Sequence, residues 1–174
     1  VCENTYQQPV RDLIKRLFEL DFVKGPFTSD FEATHIGNSA FENIGYIEVD
    51  NKKVPFKTFN IPEDGEGGSN WLDICIYTAM YEKILGHEYI TWDTNAKWYE
   101  GIDQLLTQIL NELNQVYPIR IGVLGFEISG MYYLQTLKEK ELTEQDISYT
   151  KFFVNKEETL KGNNWEVVTQ LTRK

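Results

Sequence analysis

Few side chains in this chain have the types and spacing that chemistry requires. Its two histidines, His35 and His87, are far apart, and neither stands at a metal-ligand spacing from a cysteine or a second histidine. His87-Glu88 lacks the following histidine that a zinc-protease helix would supply. Ser129, in Gly125-Phe126-Glu127-Ile128-Ser129-Gly130, is not flanked by glycines at the two positions that a nucleophile elbow needs. No phosphate-binding glycine loop is present. Cys75 lies in an apolar run and reads as a small buried hydrophobe, where a thiol is inert; a pairing with a histidine across the fold would be needed to activate it.

Carboxylates are the remaining chemical resource. Glu48 with Asp50, and Asp73 with Glu127, are the pairs that could meet in the sheet, and two carboxylates can divide acid and base roles. With 27 acidic residues in the chain, such pairs also arise by chance as solvated positions or as partners of Arg120 or a lysine. Glu63-Asp64-Gly65-Glu66 lacks the twelve-residue spacing of a calcium loop and reads as an exposed acidic segment. Neither a metal nor a cofactor is expected, and the chain is not expected to be an enzyme.

What remains is a surface for binding. Trp92, Asp93, Trp98 and Tyr99 mix aromatics with an acid, which is the composition of a protein-binding hot spot as well as of a packed core. The net charge is −10 and unevenly spread. Residues 25–51 carry Asp30, Glu32, Glu42, Glu48 and Asp50 without one lysine or arginine, and residues 58–82 carry Glu63, Asp64, Glu66, Asp73 and Glu82 likewise. Direct nucleic-acid binding is disfavoured, because phosphates require cations. A basic partner or a solubilising surface both account for the excess. The expected partner-binding residues are Glu42, Glu48, Asp50, Glu63, Asp64, Glu66, Trp92, Asp93, Trp98 and Tyr99.

The elements that must position them can be read from periodicity. A length of 174 residues with 41% hydrophobic residues suits one domain, 1–174, with an ample core. No apolar run approaches a membrane span, and two cysteines, Cys2 and Cys75, make no disulfide framework, which fits a reducing cytoplasm. Val10, Leu13, Ile14, Leu17 and Phe18 predict a helix over 9–22, with Pro9 in its first turn and Lys24-Gly25-Pro26 as its stop. Phe31–His35 is a short strand. Residues 44–49 and 54–60 predict a hairpin around Asp50-Asn51-Lys52-Lys53, with Pro55 marking an edge or a bulge. Residues 62–70 form a loop.

Residues 71–85 are apolar enough to suit either strand or helix; the β-branched content favours a strand over 71–77, then a short helix or turn closed by Gly86. A helix over 99–116 presents Ile102, Leu105, Leu106, Ile109, Leu110 and Leu113 on one face, and 119–126 reads as a central strand. Residues 131–142 form a helix, or a strand entering a turn, and 149–154 and 165–171 are final strands. The sum is an α+β fold, a largely antiparallel sheet with two or three packed helices.

Two stretches carry a resemblance. Ser69-Asn70-Trp71-Leu72-Asp73-Ile74-Cys75-Ile76-Tyr77-Thr78-Ala79-Met80-Tyr81-Glu82-Lys83-Ile84 and Tyr117-Pro118-Ile119-Arg120-Ile121-Gly122-Val123-Leu124-Gly125-Phe126-Glu127 resemble segments of bacterial immunity proteins of polymorphic or contact-dependent toxin systems. The resemblance implies a cytoplasmic α+β inhibitor without activity of its own, bound to a cognate toxin that is often a basic nuclease. Two other readings compete: a small-molecule-binding protein or enzyme with a carboxylate site, and an acidic decoy that mimics nucleic acid.

Overall fold

In the computed structural model the described residues are 3–27, 42–62, 70–86, 100–125, 150–155 and 168–171. Their order is α1 (Glu3–Phe18), β1 (Val23–Phe27), β2 (Glu42–Val49), β3 (Lys52–Pro62), β4 (Asn70–Ile76), α2 (Thr78–Leu85), α3 (Glu100–Val116), β5 (Ile121–Gly125), β6 (Thr150–Asn155) and β7 (Val168–Leu171). The first four strands form an antiparallel sheet in the order β1-β2-β3-β4. A second sheet, β5-β6-β7, pairs β5 with β6 antiparallel and β6 with β7 parallel. The fold is α+β and largely antiparallel.

Alternation of side chains along each strand builds the first sheet's inner face. Asn43, Gly45, Ile47 and Val49 of β2 are buried while the residues between them are not. Val54, Phe56 and Thr58 continue that face on β3. On β4, Leu72, Ile74 and Ile76 pack against the core. Two helices cover it. The apolar stripe of α1 supplies Leu13 and Leu17, and that of α3 supplies Ile109 and Leu113, to one cluster with Val23, Ile47 and Phe56. Each such side chain contributes about 1.5–3 kcal/mol by leaving water. Arg16 of α1 donates a 2.6 Å bond to Glu112 of α3, tying the helices at their rim. On the inner face Asn43 Nδ2 donates to Thr58 Oγ1 at 3.2 Å, so these two buried polar side chains satisfy one another across β2 and β3.

The second sheet approaches α3 through β5. A Cβ on Gly122 would lie 2.6 Å from a methyl of Leu110, so the absent side chain lets β5 approach the helix. Phe152, Phe153 and Val154 are consecutive and all buried, so β6 is covered on both faces.

Several expectations require correction. Helix α1 begins at Glu3 and ends at Phe18, so Pro9 lies inside it rather than in its first turn. Lys24-Gly25-Pro26 does not merely stop the helix; it lies within β1, paired to β2 with an irregular register between Lys24 and Phe27. Strand β3 is not an edge strand, and it tolerates Pro55 for a local reason. Its ladder with β4 starts only at Phe56, so Pro55 has a ladder partner only in β2, at Tyr46. Among the described residues the strand after α3 pairs on one side only, with β6, which is the middle strand of the order β5-β6-β7. The hairpin turn is shorter than expected: Val49 pairs with Lys52, and only Asp50 and Asn51 lie between. Their φ values of 48° and 61° are those of the primed turn that matches strand twist.

The ambiguous stretch resolves into β4 followed by α2, with Gly86 at φ 73° just past the helix end, where a left-handed residue is favoured. The strand expected at Phe31–His35, the loop residues 63–69 and the helix or strand expected at 131–142 lie outside the described residues.

Candidate functional site

The outer face of the first sheet, opposite the helices, brings together side chains that the linear sequence separates. Its rows follow from the ladder register and from alternation. Glu48 stands opposite Lys53, and Tyr46 between Lys24 and Pro55. Lys57 lies between Ile44 and Cys75, with Phe27 beyond Ile44. Phe59 lies between Glu42 and Asp73, and Ile61 opposite Trp71. An acid therefore stands on either side of Phe59, and the next pair along β3 and β4 is Ile61 with Trp71.

Local contacts organise this face. The rings of Phe27 and Tyr46 stack at 5.5 Å, 8° from parallel. The Lys53 ammonium lies 4.8 Å from the Tyr46 ring centre, where the ring's quadrupole attracts it. Lys57 Nζ donates to Glu42 Oε1, forming an ion pair. That hydrogen bond holds the Lys57 ammonium above its ordinary value of 10.5; burial opposes the shift, and Tyr77 adds to it.

Of the expected partner-binding residues, Glu42 and Glu48 share this face, and Asp50 is exposed at the tip of the turn joining β2 to β3. Glu63, Asp64, Glu66, Trp92, Asp93, Trp98 and Tyr99 lie outside the described residues, as do His35, His87, Ser129 and Glu127. Glu48 and Asp50 do not form a working carboxylate pair, because Glu48 faces Lys53 across the ladder while Asp50 sits in the turn. Cys75 is half-buried rather than buried: Ile74 and Ile76 take the inner face, which leaves the thiol on the outer one opposite Lys57. Among the described residues no group of three or more His, Cys, Asp or Glu side chains is placed to hold a metal ion.

Sequence reasoning missed Tyr46, Phe59, Trp71 and Asp73 as members of one surface. The alternation of Tyr46 with Ile47 and of Phe59 with Thr58 and Asn60 carried that signal. It becomes readable only once β2, β3 and β4 are known to be neighbours in this register. No helix among the described residues is long and apolar enough to cross a membrane.

The chain matches no protein-family model, and comparisons with curated proteins and with solved structures return no match.

Proposed function

We propose that this chain is a binding protein that sequesters a cognate protein toxin, in the manner of a bacterial immunity protein acting in the cytoplasm. The observation that carries the reading is the row Glu42–Phe59–Asp73 with Ile61 and Trp71 beside it. Aromatic side chains on a rigid sheet lose little conformational entropy when covered and serve as anchors. The chain's net charge of −10 attracts a partner's lysines and arginines and speeds encounter. In the sequence, Glu63, Asp64 and Glu66 follow closely on Pro62, the last residue of β3.

The expected partner is therefore a basic protein domain such as a nuclease. The lysines refine this picture. Lys57 already neutralises Glu42, and Lys53 faces Glu48, so affinity in this reading comes mainly from the apolar anchors, with charge setting the rate of approach.

The test is purification of the tagged chain from its native host, with bound chains identified by mass spectrometry. One stoichiometric basic partner bearing a toxic domain is the expected result. Recovery of the chain alone, from cells that express its neighbouring genes, would overturn the reading.

A further inference from the structure

We draw no further inference here: the strongest candidate, the outer edge of β4 (Asn70–Ile76), closes one side of the four-stranded sheet, but nothing in the structure shows what covers it.

Discussion

Lys57 and Glu42 are joined diagonally across β3 and β2: in the ladder Lys57 is opposite Ile44 and Glu42 is opposite Phe59, yet the ammonium reaches the carboxylate. The pair is partly exposed, with side-chain exposures of 28% for Lys57 and 51% for Glu42, so its contribution to stability is small. Lys57→Met is expected to change unfolding free energy by less than about 1 kcal/mol at neutral pH, measured by urea denaturation. The pH dependence has a defined sign. A raised folded-state value means that the pair's contribution is complete below pH 10.5 and is lost as pH rises through the raised value. The wild type should keep its small advantage over Lys57→Met through neutral pH and lose it as pH rises through that alkaline window. A difference that disappears near neutrality would contradict the assignment.

The turn between β2 and β3 gives a sharper stability test. Asn51 has φ 61°, a conformation that β-branched residues resist. Asn51→Val is expected to cost about 1–2 kcal/mol, whereas Asn51→Gly should be neutral or slightly stabilising. Thermal and denaturant unfolding of the two variants check this. Equal losses would show that the Asn side chain, and not the backbone, matters there.

Close approach of helix and sheet predicts an order among glycine substitutions. A Cβ on Gly45 would lie 2.7 Å from the rings of Phe18 and Phe56 and 2.8 Å from the Lys24 carbonyl oxygen. The crowding includes backbone, which cannot rotate away. At Gly122 the three nearest atoms all belong to the Leu110 side chain, the nearest at 2.6 Å, and this side chain can turn. Gly45→Ala should therefore cost about 1–3 kcal/mol, and more than Gly122→Ala, in the same denaturation assay.

Much of this architecture is legible in the residues. The stripes on α1 and α3 name the buried positions directly, because a helical period admits one reading of Leu13, Leu17, Ile109 and Leu113. The β2–β3 hairpin is equally plain from its alternation, although its turn, Asp50-Asn51, is half the expected length. What the sequence hides is neighbourhood. Strand β1 contains Gly25 and Pro26, which mark loops more often than strands, and its irregular pairing to β2 has no local signature. The half-burial of Cys75 depends on which of two alternating sets, Leu72-Ile74-Ile76 or Trp71-Asp73-Cys75, turns inward; both contain apolar groups, so hydrophobicity alone does not choose. Among the site residues, Glu42 and Glu48 stand out as charges, but their lysine partners are cross-strand and emerge only from the register.

Charge in this region sets a kinetic expectation. Reversal of Glu48, Asp50, Glu63, Asp64 and Glu66 to lysine, singly and together, should slow association with a basic partner while leaving far-UV circular dichroism unchanged, and the slowing should fade at high salt. Stopped-flow association at two ionic strengths reads this directly. Unchanged rates in every variant would reduce these acids to a solvated surface.

The proposed anchor for a protein partner is the outer face between Phe59 and Trp71. Its most direct test is the dissociation rate of the co-purified partner from the wild type and from Phe59→Ala, with circular dichroism confirming that the variant remains folded. An anchor residue predicts a rise in dissociation rate of about tenfold or more, equivalent to about 1.4 kcal/mol. A dissociation rate equal to the wild type's, in a folded variant, would contradict the claim and place the binding surface elsewhere on the chain.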